Sequence, residues 1–426
     1  MARSPSASNM PVMPTRELSR PLRTPRLTLG RGAGFAAAAF ALAIAMLGTT
    51  LPTPLYGLYR EDFGFSELMI TVIFATYAAG VIASLLLFGR LSDQIGRRRV
   101  LLPGLALAAL SAVAFLVADG LAVLLVGRVL SGLSAGIFTG TATATLLDLA
   151  APERRARATL VATIANMGGL GCGALLAALL SQWAGSPLRL VFWVDLALLA
   201  PAAIAIWAMP EPVVARSRPQ LRPRALTVPT EMRATFVEAA LAGFAGFAVL
   251  GLFTAVAPAF LGQELGVTSR AVLGLVVFSV FAASMVGQIM LRLVPEEFAM
   301  LAGCLALIAG MGSLALGLAV SSLALLVLGG VIAGFGHGVA FRAGLAAVSA
   351  RAPAGQRGDV ASSFFVVMYV AISLPVIGVG VLAQAMGLRT AGLIFAAAIA
   401  VLSMVVLVLR GRERASGRVA FAHAAE

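Results

Sequence analysis

Long apolar runs and short polar breaks alternate twelve times along this chain. The first six runs extend roughly from Gly34 to Leu58, Glu67 to Phe88, Val100 to Ala118, Leu121 to Leu147, Ala158 to Trp183 and Leu188 to Met209. The second six extend roughly from Thr235 to Leu261, Val272 to Leu293, Phe298 to Val320, Leu323 to Ser349, Val360 to Ala385 and Ala391 to Leu409. Each is close to the about 20 residues a helix needs to cross about 30 Å of hydrocarbon. The run from Leu121 to Leu147 is admitted although it contains Arg128. Since each helix satisfies its own backbone hydrogen bonds where no water is available, the pattern predicts an all-α membrane protein of twelve transmembrane helices.

The longest polar break after the N-terminal tail, Pro210 to Arg233, holds five arginines and five prolines and divides the spans six and six. It suits an extended linker. The halves also look related around the fourth and tenth spans. Leu124-Leu125-Val126 answers to Leu325-Leu326-Val327, Gly132 and Gly136 to Gly334 and Gly338, and Ala151-Pro152 to Ala352-Pro353. The expected organisation is a disordered tail over 1–32, a six-helix bundle over 33–209, a linker over 210–233, a second bundle over 234–410 and a tail over 411–426, the two bundles being pseudo-symmetric. The apolar run near the N-terminus resembles a signal peptide in part, but it is too long and is followed by eleven more spans, so a retained first helix is the reading adopted.

Composition agrees with a membrane location. Hydrophobic residues make up 60% of the chain and mean hydropathy is +0.99, far outside the soluble range. All 31 basic residues are arginine. The net charge of +13 would suit a nucleic-acid binder, but its distribution argues against one. If the N-terminus is cytoplasmic, only Arg60, Arg189, Arg270 and Arg389 fall on the opposite side, and Arg128 and Arg342 lie within helices. That asymmetry puts both termini in the cytoplasm. Cys172 and Cys304 both fall within spans and read as small packing residues rather than a disulfide or metal site. There is no phosphate-binding loop, metal-ligand cluster or nucleophile–histidine–acid set, so no enzyme activity, ATP-driven pumping or cofactor is expected.

The polar gap between the second and third spans is richer than a turn requires. Gly89-Arg90-Leu91-Ser92-Asp93-Gln94-Ile95-Gly96-Arg97-Arg98-Arg99 carries one acid, two glycines and four arginines in eleven residues. The pattern G-x-L-x-D-x-x-G-R-R resembles the loop between helices 2 and 3 of the major facilitator superfamily of secondary transporters, here of the bacterial twelve-helix type. Gly127-Arg-Val-Leu-Ser-Gly132 resembles the helix-4 arginine motif of the same superfamily. The resemblance implies alternating access between two six-helix bundles in the bacterial inner membrane, with no enzymatic step. It also implies a conformational latch in which Asp93 docks against the start of helix 11, with Gly89, Gly96, Arg97 and Arg98 around it and Asp148 as an ion-pair partner. By the same resemblance Arg128 faces a central cavity and meets substrate or a proton-relay partner.

Charges within spans are the remaining candidates, because one at the bilayer centre costs at least about 2.5–3.5 kcal/mol. The repeat places His337 opposite Ala135, seven residues after Arg128 and so on the same helix face. His337 should therefore share the cavity with Arg128, unless it is a buried structural histidine. Asp195 and Glu238 are candidate proton carriers, or alternatively interfacial caps or ion-pair partners. Helix 1 carries no acid, unlike many proton-driven exporters of the resembled family. On helix 5, Ala165, Gly169, Gly173 and Ala177 form a ridge of small residues that allows close approach in lipid. The resemblance would make this ridge a sliding surface between the halves. That helix lacks the Gly-Pro pair common in the exporters.

These readings lead to proton-driven export of small organic or drug-like compounds by a monomer, with a small-molecule substrate, protons and lipid as partners. Proton-coupled uptake of a small metabolite or organic anion, with Arg128 as counter-ion, is the alternative. A third reading is a transporter-like receptor or assembly subunit that moves nothing.

Overall fold

The computed structural model describes residues 29–89, 91–213, 226–353 and 355–424, the last stretch in side-chain detail as far as residue 412. Most of the expected N-terminal tail, the middle of the linker, Arg90 and the side chains of the C-terminal tail lie outside the described residues. Twelve helices are long and apolar enough to cross a membrane. They are α1 (Arg31–Phe63), α2 (Glu67–Phe88), α3 (Arg98–Leu116), α4 (Leu121–Leu149), α5 (Pro152–Trp183), α6 (Pro187–Ala208), α7 (Thr230–Ala255), α8 (Arg270–Leu293), α9 (Glu296–Ala319), α10 (Leu323–Arg351), α11 (Arg357–Met386) and α12 (Leu388–Arg412). Among the described residues there is no strand.

Within the first half, α4 packs against α1, α2 and α3, and α6 closes the bundle on α1 and α3. The second half repeats this, with α10 against α7, α8 and α9, and α12 on α7 and α9. Two helix pairs join the halves, α5 with α8 and α2 with α11. Burial differs between helices: within an apolar 18-residue stretch of each, 78% of α7 and 67% of α1 lie inside the protein, against 33% for α6, α11 and α12. Outward-facing Leu110, Ile204, Leu374 and Val401 are exposed apolar side chains of the kind lipid covers, and Trp183, Trp193 and Trp207 are exposed as well.

The repeat extends further than the sequence pattern suggested. Both α1 and α7 break before their ends and continue as short helices, Tyr56–Phe63 and Ala257–Leu265. Proline explains the breaks: Pro52 and Pro54 interrupt α1, and Pro258 sits in the first turn of the extension of α7. Each extension ends on a glycine in the left-handed region, Gly64 (φ 67°) and Gly266 (φ 64°). The backbone of the last helix continues to Ala424, through the stretch expected as the C-terminal tail.

Close backbone approach sets the helix crossings. A Cβ on Gly132 of α4 would lie 2.1 Å from the Tyr77 carbonyl of α2, and one on Gly136 would lie 2.6 Å from the Ser84 Cβ. The matching positions of the second half are equally tight, with Gly334 2.5 Å from the Val280 carbonyl and Gly338 2.1 Å from that of Ser284. Gly132→Ala is therefore expected to destabilise by about 1–3 kcal/mol through overpacking. Gly140→Ala, with nothing within 4 Å of the added carbon, should be neutral or stabilising because alanine is the better helix former. Thermal unfolding of the two purified variants in detergent checks this; equal melting temperatures would remove the close-packing account.

Candidate functional site

The loop between α2 and α3 is built around one guanidinium. Arg97, 7% exposed, donates from Nε to Asp148 Oδ2 at 2.9 Å and from Nη1 to Ser92 Oγ at 2.7 Å. Its Nη1 also lies 2.5 Å from Asp93 Oδ1. A short helix, Ser92–Ile95, carries Asp93, and Gly96 then turns the chain at φ 106°, a conformation that favours glycine. Glu211, three residues past α6, completes the arrangement. Its carboxylate accepts from the backbone N–H groups of Arg97 (2.7 Å) and Arg98 (3.0 Å), the free donors at the start of α3. A Cβ on Gly96 would sit 2.7 Å from the same carboxylate. Arg98 reaches past it to the Trp207 carbonyl, and Arg31 donates to the Asp148 carbonyl at 2.8 Å. The sequence argument missed Glu211; the available signal was an acid between two prolines where helix 6 meets the linker. Asp93 is 55% exposed at its side chain. Beside it, between α2 and α4, lies a cleft of about 130 Å³ lined by Ser84, Phe88, Gly89, Gly136 and Thr141.

Arg128 is 1% exposed, so it does not open onto a cavity as the sequence suggested. Nη1 donates to the Thr49 carbonyl of α1 at 2.8 Å, and the guanidinium carbon lies 4.8 Å from the centre of the Tyr77 ring and 5.9 Å from that of Phe74. Nε has no hydrogen-bond partner, and among the described residues no acid pairs with the group. Tyr77 in turn meets Tyr369 of α11 edge to face at 6.3 Å, across the boundary between the halves. The cation is thus covered by two rings of α2, one of which, Tyr77, is itself in contact with the opposite bundle.

Asp195 lies against the same stretch of α1. A Cβ on Gly48 would be 3.1 Å from both of its carboxylate oxygens. The residue is 3% exposed and Oδ1 has no hydrogen-bond partner. His337 is not brought to Arg128. It is fully buried in the second bundle, with Nδ1 2.8 Å from Ser284 Oγ of α8 and its ring against Phe247 (4.7 Å) and Phe341 (5.8 Å). Ser284 Oγ also lies 3.8 Å from Met167 Sδ of α5, which ties this cluster to the other half. Glu238 is buried and its Oε2 lies 3.6 Å from Arg410 Nη1 of α12, an ion pair within one bundle.

The small-residue ridge on α5 needs a correction. Gly169 packs on the Ala43 carbonyl and Met46, and Gly173 on the Leu47 carbonyl and Thr50, and Ala165 is buried in the apolar cluster that also holds Met46. The ridge faces α1 of its own bundle. The contact with α8 is made by the neighbouring stripe, Gly171 against Phe278 and Phe281, and Ala174 and Ala178 against Gly274. A four-residue spacing identifies a close-packed face but not the helix that fills it. Of the cysteines, Cys304 is buried as expected and Cys172 is exposed. Opposite the arginine-rich end the halves are held together by Gln263 with Glu67, by Arg270 with Gln182 and the Ser181 carbonyl, and by the seating of Gly380 on Thr71.

The family model described as Major Facilitator Superfamily matches residues 38–376, the stretch that carries both motifs and eleven of the twelve spans, at least in part. The chain is a member of the major facilitator superfamily. Two curated relatives are more specific in name. The triacylglyceride transporter of Mycolicibacterium hassiacum is 31% identical over 220 residues, covering 49% of this chain and 38% of that protein. Multidrug resistance protein MdtL of Escherichia coli is 35% identical over 120 residues, covering 28% of this chain and 29% of its own length. The matched stretch thus spans well under half of either relative. Solved structures agree with the chain in fold over most of its length. A bacterial homolog of the human lysosomal transporter Spinster superposes with a TM-score of 0.71 at 16% identity, covering 90% of this chain and 97% of that one. The human organic anion transporter MFSD10 superposes with a TM-score of 0.65 at 18% identity, covering 90% of this chain and all of that one. This member of the superfamily has the helices of a multi-pass membrane protein.

The Glu211 contact in this transporter generates a direct expectation. Hydrogen bonds to a charged group contribute about 1.5–3 kcal/mol each, and each 1.4 kcal/mol corresponds to about tenfold. Glu211→Gln should therefore raise amide exchange at Arg97 and Arg98 by about tenfold or more, read by hydrogen-exchange mass spectrometry on the segment 92–100. Unchanged exchange there would show that the carboxylate does not hold the start of α3.

Proposed function

We propose that the protein exports small amphiphilic organic compounds across the bacterial inner membrane in exchange for protons, by alternating access, with both termini in the cytoplasm. The observation that carries this reading is Arg128: a buried cation without an acidic partner among the described residues, covered by Tyr77, which in turn meets Tyr369 at the junction of the two bundles. Such a group is costly to keep in hydrocarbon unless it has a use. Parting α2 from α11 would uncover it to the polar end of a cargo. The surroundings, with Phe, Met and small residues and few fixed charges, suit an apolar body on that cargo. The relative named for multidrug resistance and the one named for triacylglyceride transport support an amphiphile, and the arginine-rich end supports the orientation. The absence of an acid beside Arg128 also favours a second reading, inward transport of an organic anion with Arg128 as its counter-ion.

Flux in proteoliposomes under an imposed pH gradient distinguishes these readings, using ethidium and anilinonaphthalene sulfonate as cationic and anionic amphiphilic probes. Proton-driven export requires probe movement against the proton flow. Movement with the proton flow selects uptake. No movement of either probe rejects both for these cargoes. Arg128→Ala should abolish flux while leaving insertion and melting temperature intact; wild-type flux in that variant would remove Arg128 from the transport site.

The loop around Arg97 is proposed as the latch between access states. Its cleft of about 130 Å³ beside Asp93 offers a seat at the arginine-rich end of α2, the helix that packs on α11. An acid docked at a helix N-terminus contributes about 0.3–1 kcal/mol, up to ~2 when partly buried, and about 1.4 kcal/mol shifts a two-state equilibrium roughly tenfold. Asp93→Asn should slow transport and widen the distances between spin labels placed on the arginine-rich ends of α2 and α11. Unchanged distances with unchanged turnover would reject the latch.

A further inference from the structure

The first bundle encloses a small polar pocket that neither the latch nor Arg128 accounts for. It is lined by Gly48 and Thr49 of α1, Ser111 and Phe115 of α3, Ser131 and Ser134 of α4, and Phe192 and Asp195 of α6. The space available to the centre of a water molecule is about 10 Å³, close to what one water needs. Phe115 and Phe192 stack at 4.9 Å and wall it off. Two buried oxygens point into it without a hydrogen-bond partner, Asp195 Oδ1 and Ser134 Oγ.

The polar inventory around this pocket is narrow. Ser111 spends its hydroxyl on the Gly127 carbonyl at 2.8 Å and Thr49 on the Met46 carbonyl at 2.7 Å. The charged group on the packed faces is Arg128, one turn before Ser131 on α4, and it is committed to the Thr49 carbonyl. The titratable tyrosines Tyr56, Tyr59 and Tyr77 lie nearby, with the Tyr59 hydroxyl donating to the Phe115 carbonyl at 3.4 Å. Among the described residues no cation forms an ion pair with Asp195. An isolated carboxylate is poorly tolerated in such a place, whereas a carboxylic acid needs no counter-charge and donates one hydrogen bond. Gly48 and Thr49 are adjacent residues of one helix turn. One faces the carboxyl group and the other holds the guanidinium, so a charge on Asp195 is felt at Arg128 through two residues of α1.

We propose that Asp195 is the proton-binding residue of this transporter, exchanging one proton between its carboxylate and a water in this pocket. It rests on the proposed proton coupling and assigns its carrier. Uptake of the proton gives the neutral acid seen to suit this pocket. Its release leaves a carboxylate against Gly48, next to the residue that holds Arg128, where it competes with an anionic cargo for that cation. An anionic cargo at Arg128 then binds together with the proton, as the uptake reading requires. A cationic cargo attracted by the carboxylate and the proton instead exclude each other, as exchange transport requires.

The test reads the carboxyl group itself and needs no cargo. Infrared difference spectra of the full-length protein in liposomes, recorded between acid and alkaline pH, should contain a protonated-carboxyl C=O band that disappears as pH rises. That band should be absent in Asp195→Asn and present in Glu238→Gln. Gly48→Ala, which places a methyl group 3.1 Å from both carboxylate oxygens, should keep the band and move its titration midpoint by tenfold or more in proton concentration. An unaltered band in Asp195→Asn overturns the assignment. Where Asp195→Asn does not fold, an unshifted band in Gly48→Ala overturns it. Flux separates the two readings. Proton-driven movement of the probes that persists in Asp195→Asn rejects the carrier and leaves the transport reading standing. A titrating band lost in Asp195→Asn, in a protein that moves neither probe, supports the proton site and counts against the proposed cargo.

Discussion

Helices in hydrocarbon gain nothing by hiding apolar side chains from one another, because the lipid is as apolar as they are. Association must come from close contact, and here it comes from backbone meeting backbone. Gly132 and Gly136 let α4 settle on α2, and Gly334 and Gly338 do the same for α10 on α8. Gly169 and Gly173 bring α5 onto α1, and Gly274 brings α8 onto Ala174 and Ala178 of α5. The polar residues inherit their places from these crossings. Arg128 reaches the Thr49 carbonyl because α4 lies close to α1, and its ring partner Tyr77 is held by the same α2–α4 contact that Gly132 permits.

The same scarcity of water makes every buried polar group consequential. Arg128 is stabilised by one carbonyl and an aromatic face, an arrangement in which a cation retains a favourable electrostatic partner without an anion. His337 takes the opposite course. It has one hydroxyl partner and two aromatic neighbours, and it joins α7, α8 and α10 into one core rather than lining a path. Glu238 is satisfied by Arg410. Arg128 and Asp195 both lack an opposite charge among the described residues, and both touch Gly48–Thr49 of α1.

At the arginine-rich end water is available and the logic changes. Exposed ion pairs contribute little, yet Arg97 is buried and gathers Asp93, Ser92 and Asp148 while its own backbone is held by Glu211. This network reaches from the start of the linker to the end of α4.

Twelve spans, the six-plus-six division and the family were legible in the sequence because hydrophobic length and loop chemistry are local properties, readable without knowing which helix lies beside which. Residue types in Gly89 to Arg99 and in Gly127 to Gly132 carried the family for the same reason. The neighbours of each face were not legible. The α5 ridge of Ala165, Gly169 and Gly173 was readable as close-packed, but that it meets α1 while Gly171 meets α8 depends on the rotation of α5 in the bundle. The helix period put His337 and Arg128 on matching faces, but matching faces of two bundles need not meet, and each side chain is enclosed by its own half. Glu211 was invisible as a capping acid because its partners lie more than a hundred residues away in sequence. Only the tertiary arrangement decides such contacts, because in a bundle of similar apolar helices it is the three-dimensional fit of small residues that selects which surfaces touch.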